Sequence, residues 1–127
     1  MITGPSTGRP QDTEPTIEVT WPESHVALVV LAGEHDLGSV TGIESAVTEA
    51  LRSCSHLVID LSAVQFVDSS IINLLVQTKR QADESDCAFN LVLGTSRAVE
   101  RTLEICGVLP ELDRVKTLDE ALARDPS

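Results

Sequence analysis

Leu57-Val58-Ile59-Asp60-Leu61-Ser62-Ala63-Val64-Gln65-Phe66-Val67-Asp68-Ser69-Ser70 changes pattern twice within a short span. Leu57 to Leu61 is a short apolar strand, and Val64 to Val67 follows it as a second apolar segment. Asp68 then opens a helix that carries Ile71, Leu74, Leu75, Thr78 and Ala82 on one side. Its far end is rich in charge, with Lys79, Arg80, Asp83, Glu84 and Asp86. A strand that feeds an amphipathic helix in this way points to an α/β domain, and the rest of the chain repeats the unit.

Upstream, Ile17-Glu18-Val19-Thr20-Trp21 alternates apolar and polar residues, the period of a half-buried strand, with Pro22 as its end. Val26 to Leu31 is nearly continuous in apolar character, and the short link between the two runs predicts an antiparallel hairpin. Gly33 to Ser39 reads as a polar loop. Val40, Ile43, Val47, Ala50, Leu51 and Cys54 then recur at helical spacing, with Ser39 as N-cap. Downstream, Ala88 to Leu93 reads as a strand. Val99, Leu103 and Cys106 mark a helix stopped by Gly107, and Val115 lies in a short last strand. Thr117 to Glu120 has the spacing of a capping box at the start of a final helix.

The expected fold is therefore α/β: a small mixed, mostly parallel sheet with about four helices packed mainly on one face or wrapped around it. Residues 1–15, rich in Gly and Pro, cannot bury enough apolar surface to offset ordering and are expected to form a flexible N-terminal tail. The folded domain is expected over residues 16–124.

Composition narrows the function classes. The chain has 127 residues, enough for one core. Trp21, Phe66 and Phe89 are its whole aromatic set, so the core must be aliphatic and offers no platform for stacking bases. With 20 acidic against 9 basic residues the net charge is −11, which repels phosphate backbones and argues against direct nucleic-acid binding. Such a surface keeps a protein soluble and can steer encounter with a basic protein partner. No apolar stretch has the length of a membrane span, and the N-terminus has no basic region followed by an apolar one. The three cysteines, Cys54, Cys87 and Cys106, are never in C-x-x-C spacing and read as reduced, mostly buried residues of a cytoplasmic protein.

Most catalytic constellations are missing. His25, His35 and His56 are not at metal-ligand spacing and no Cys-His cluster accompanies them, so no metal is expected. There is no phosphate-binding glycine loop and no recognisable nucleophile with its base, so neither cofactor nor enzyme activity is expected. Asp60, as a receiver-type phosphoaspartate, lacks the paired acidic residues that would hold Mg²⁺. Asp68-Ser69-Ser70 has two readings. It is a good helix start, with Asp68 capping the first turn. It is also a place where a phosphate would sit at the positive end of a helix dipole, beside Asp68 and, if the loops adjoin, Asp36.

The quoted stretch, Leu57 through Ser70, resembles the signature of STAS domains in bacterial anti-sigma factor antagonists. Leu31-Ala32-Gly33-Glu34-His35-Asp36 is similar to the family's G-E-x-D segment ahead of its first helix. Leu103 to Leu109, followed by Thr117 to Leu122, is similar to its C-terminal pattern. The resemblance implies a phosphorylation-controlled binding switch. Its unphosphorylated form binds an anti-sigma factor that is also a serine kinase of the histidine-kinase-like ATPase type, and so releases a sigma factor. ATP and Mg²⁺ belong to the kinase. On this resemblance Ser69 is the phospho-acceptor, Ser70 the secondary candidate, Asp68 its neighbour and cap, and Asp36 an acidic loop residue at the partner face.

Two positions depart from the family pattern. Ile71 stands where the family usually has glycine, and is expected at the partner face, to obstruct, redirect or anchor the partner there. His35 stands where an aliphatic residue is common and is expected to be solvated. A switch of this kind would be a monomer or a homodimer. The alternative is a non-catalytic STAS subunit of a stressosome-like or transporter-associated complex, which would run at high mass.

Overall fold

The structure, a computed structural model, describes residues 14–95, 97–108, 112 and 114–124. Near-continuous apolar runs place two strands at its centre: β2 (Val26–His35) and β3 (His56–Val67). The other strands are β1 (Thr16–Glu23), β4 (Ala88–Val92) and β5 (Arg114–Val115), and the sheet order is β1-β2-β3-β4-β5. β1 is antiparallel to β2, and the remaining pairs are parallel. Between the parallel strands run α1 (Val40–Leu51), α2 (Ser69–Glu84) and α3 (Arg97–Cys106), with α4 (Leu118–Ala123) after β5.

Both faces of the central strands are covered, which is why their sequence does not alternate. Ala27, Val29, Leu31, Leu57, Ile59, Leu61 and Leu91 face α1, α2 and α3, meeting Ile43, Val47, Ile71, Leu75, Val99 and Leu103 in the main core. The opposite face, with Val26, Leu28, Val58, Val92 and Val115, is covered by Ala121, Leu118 and Leu122 of α4. Two buried polar side chains are also accommodated, His56 Nε2 lying 2.7 Å from Asn90 Oδ1. Three helices on one face and a short one on the other match the expected mixed sheet with helices mainly on one side.

Several local expectations need correction. β1 runs through Pro22 to Glu23, with an irregular register between Thr20 and Glu23 that accommodates the missing N–H. The strand is also not half-buried: all its residues are exposed, with Ile17, Val19 and Trp21 at 37–43%. It is an edge strand, and Gly42 in the first turn of α1 sits against Ile17 Cδ1. Ser39 makes no side-chain cap to α1, because Asp36 already caps the single 3-10 turn, Leu37–Ser39, that leads into the helix. Val64 to Val67 is not a separate segment but the continuation of β3. The expected flexible tail, residues 1–15, lies outside the described residues except for Glu14 and Pro15. The remaining signals hold: Gly107 ends α3 with φ +73°, a left-handed conformation natural to glycine, and Thr117 with Glu120 forms a capping box on α4.

The burial pattern sets a stability contrast. Leu75 is fully buried whereas Ile105 is 78% exposed. Leu75→Ala is expected to lower unfolding free energy by about 2–5 kcal/mol, and Ile105→Ala to change it by about 0.5 kcal/mol or less. Urea titration of both variants checks the difference.

Candidate functional site

The parallel register of β2 on β3 builds the site. The ladder starts with Val26 beside His56 and ends with Glu34 beside Phe66 and His35 beside Val67, after irregularities at Val30/Ala32 and Gly33/Glu34. Gly33 has φ +87°, which a side chain would strain, and it lies at the second irregularity. Asp36 and Leu37 therefore leave β2 next to the point where Asp68 leaves β3. The two loops adjoin.

Asp68 is the N-cap of α2, in extended conformation, and its Oδ1 accepts from Ser70 N at 3.0 Å and from Ile71 N at 3.3 Å. The Ser70 hydroxyl donates to the same oxygen. The Leu37 N–H also acts on this carboxylate, which puts the loop after β2 beside the start of α2. These donors, the Ser70 hydroxyl first, hold the Asp68 carboxyl below its ordinary value, against the opposing effect of burial.

The two serines differ. Ser70 is half-buried and its hydroxyl is committed to Asp68. Ser69 is exposed at the first helical position, and no hydrogen bond of its hydroxyl is found among the described residues. Asp36 is exposed and turns its Oδ1 back onto Gly38 N at 2.9 Å. Two apolar side chains that sequence reading passed over also stand here. Leu37 is 71% exposed and Phe66 49% exposed. Leu37 was hidden in a polar loop, and Phe66 in a run that reads as strand core.

One expected site residue, and one histidine expected to be solvated, lie in the interior instead. Ile71 is fully buried in the main core and presents nothing to a partner, because the first turn of α2 points this position at the sheet. The branched side chain that replaces the family's glycine is absorbed by packing. His35 is likewise fully buried, not solvated, with Nε2 2.9 Å from Ala32 O. Asp60, by contrast, is engaged within β3, its Oδ1 accepting from Ser62 N at 2.8 Å and Ser62 Oγ at 2.6 Å. Among the described residues no group of three His, Cys, Asp or Glu side chains is placed to hold a metal, and no helix is long and apolar enough to cross a membrane.

A mixed sheet whose parallel β2–β3 pair delivers an acidic loop and a capped helix start to one end is the arrangement of a STAS domain. The STAS domain profile matches residues 17–121, and the chain belongs to this family. Its structure is similar to an anti-sigma factor antagonist from Mycobacterium paratuberculosis, with TM-score 0.81 and 27% identity over 95% of this chain and 100% of that one. It is also similar to an anti-sigma-factor antagonist (STAS) domain protein from Planctomyces limnophilus, with TM-score 0.73 and 27% identity over 87% and 98% of the two chains. The Bacillus cell fate determinant SpoIIAA in its phosphorylated form shares the fold at TM-score 0.65 and 19% identity, over 86% of this chain and 98% of that one.

The depressed Asp68 pKa has a signed consequence. A carboxylate stabilised in the folded state contributes stability that is present above its unfolded pKa and lost as pH falls through the lower folded value. Asp68→Ala is expected to cost about 1 kcal/mol at neutral pH. The gap between wild type and variant is expected to close as pH drops below the ordinary aspartate value. Chemical unfolding at a series of pH values from 7 down to the acid limb measures that gap directly.

Proposed function

We infer that this chain is an anti-sigma factor antagonist, a cytoplasmic binding module without catalytic activity of its own, whose affinity for its partner is set by phosphorylation of Ser69. The folded unit is the STAS domain over residues 16–124. The partner is an anti-sigma factor with serine-kinase activity of the histidine-kinase-like ATPase type, which supplies ATP and Mg²⁺. One observation carries the choice of residue: the Ser69 hydroxyl is exposed and uncommitted at the first position of α2, while that of Ser70 is held by Asp68.

The unphosphorylated surface offers Leu37 and Phe66 as apolar contacts among the acidic groups Glu34, Asp36 and Asp68. Apolar anchors with a charged rim suit a protein interface, where the rim sets selectivity and encounter rate. A phosphate on Ser69 adds about two negative charges to this surface. The folded domain tolerates it, because the start of a helix carries partial positive charge and free N–H groups. A partner chosen to meet the unmodified surface must then desolvate or oppose that charge. Binding weakens while the fold stays intact, and the sigma factor is sequestered again.

The test is incubation of the full chain with the cognate kinase, ATP and Mg²⁺, followed by mass spectrometry of the peptide that contains Asp68-Ser69-Ser70. One phosphate on Ser69 is expected, retained in Ser70→Ala and lost in Ser69→Ala. Phosphate on Ser70 alone would overturn the assignment. A stable high-mass complex of the unmodified chain on gel filtration would instead favour a scaffold subunit.

A further inference from the structure

Two thiols meet at the end of the sheet opposite Ser69. Cys54 lies in the turn between α1 and β3, and Cys87 immediately precedes β4. β3 and β4 are parallel with His56 beside Ala88, and the Ala88 N–H donates to Ser55 O at 2.9 Å. The register therefore holds the two turns side by side and sets Cys54 Sγ 3.4 Å from Cys87 Sγ. Both are free cysteines; Cys87 is 5% exposed and Cys54 is half-buried at the rim. A bonded pair needs a sulfur separation of about 2.05 Å, so the two sulfurs, already in contact, must draw closer for the bond to form.

We propose that Cys54 and Cys87 form a reversible modification site, oxidised by a hydroperoxide to an intramolecular disulfide. The roles of the two sulfurs follow from their surroundings. Cys54 is the more exposed of the two, and the hydrogen bond between the sulfurs holds it below the ordinary cysteine value. The same hydrogen bond, together with burial and the nearby Cys54 charge, pushes Cys87 up and keeps it protonated until it is needed. Cys54 is thus the attacking sulfur and Cys87 the resolving one.

The chemistry balances in two steps. The Cys54 thiolate attacks the outer oxygen of the hydroperoxide; the O–O bond breaks, the sulfur becomes a sulfenic acid, and the alkoxide leaves and takes a proton from water. The Cys87 sulfur, giving up its proton, then attacks Cys54 sulfur; the S–O bond breaks and water leaves. Two thiols and one hydroperoxide yield one disulfide, one alcohol and one water, and a dithiol reductant reverses the change. The closed loop contains the whole of β3 and α2, so oxidation restricts the unfolded chain and stabilises that strand–helix unit. β3 alone separates the thiols from Asp68 by roughly 35 Å at about 3.3 Å per residue. The site therefore stands independently of the phosphorylation reading.

The experiment uses the full-length chain and its Cys106→Ser variant, which removes the exposed third thiol. Each is reduced, treated with one equivalent of hydrogen peroxide, blocked under denaturing conditions with N-ethylmaleimide, and digested for mass spectrometry without reduction. The expected product is a monomer lighter by two hydrogens with Cys54 cross-linked to Cys87. It reverts with dithiothreitol and melts at a higher temperature than the reduced form. Cys87→Ser is expected to leave a Cys54 sulfenic acid that dimedone traps. Cys54 driven to sulfinic acid while Cys87 is still alkylated, or disulfides formed only between chains, would overturn the proposal.

Discussion

The parallel pairing of β2 with β3 continues past two irregularities until His35 lies beside Val67, and the candidate site hangs from that last rung. A ladder that stopped at Val30 would leave the loop after β2 free of the start of α2. Because it continues, the Leu37 N–H reaches the Asp68 carboxylate, and Asp36, Leu37, Phe66 and Ser69 occupy one end of the sheet. Gly33 makes this possible through a backbone conformation open to glycine, and the buried His35 locks the strand end by bonding back to Ala32. The candidate site thus depends on backbone register before it depends on any side chain.

Asp68 serves two purposes with one group. It satisfies the first N–H groups of α2, and it ties up the Ser70 hydroxyl. Ser69 is left exposed beside it. The helix start is thereby stable without a modification, and on the proposed reading it also accepts one, since the start of a helix favours negative charge while the loop carboxylates oppose it. Opposing effects of this kind allow a charge to change what the surface binds without changing the fold that presents it.

The sequence revealed the fold wherever periodicity expressed two-sided burial. The apolar run of β2, apart from the half-buried Val30, and the stripe Ile71, Leu74, Leu75, Thr78 and Ala82 on α2 are buried as their spacing implies. It failed where a residue's environment depends on neighbours far along the chain. Glu34 and His35 look like loop residues, yet they extend β2 because their partners are backbone groups of β3. His35 and Ile71 read as exposed departures from a family pattern, and packing places both inside. The alternation in β1 suggested burial that an edge position does not provide. Leu37 and Phe66 gave no signal, since exposure of an apolar residue has no mark in composition. Nor did the pairing of Cys54 with Cys87, which only the β3–β4 register brings about.

The central claim is that charge on Ser69 controls partner binding through a surface whose fold does not change. Calorimetric titration of the cognate anti-sigma factor with unphosphorylated and Ser69-phosphorylated protein tests it most directly. The account predicts a loss of affinity of at least about tenfold, equivalent to about 1.4 kcal/mol, with unchanged circular dichroism. Equal affinity of the two forms, or a loss of affinity accompanied by unfolding, would contradict it.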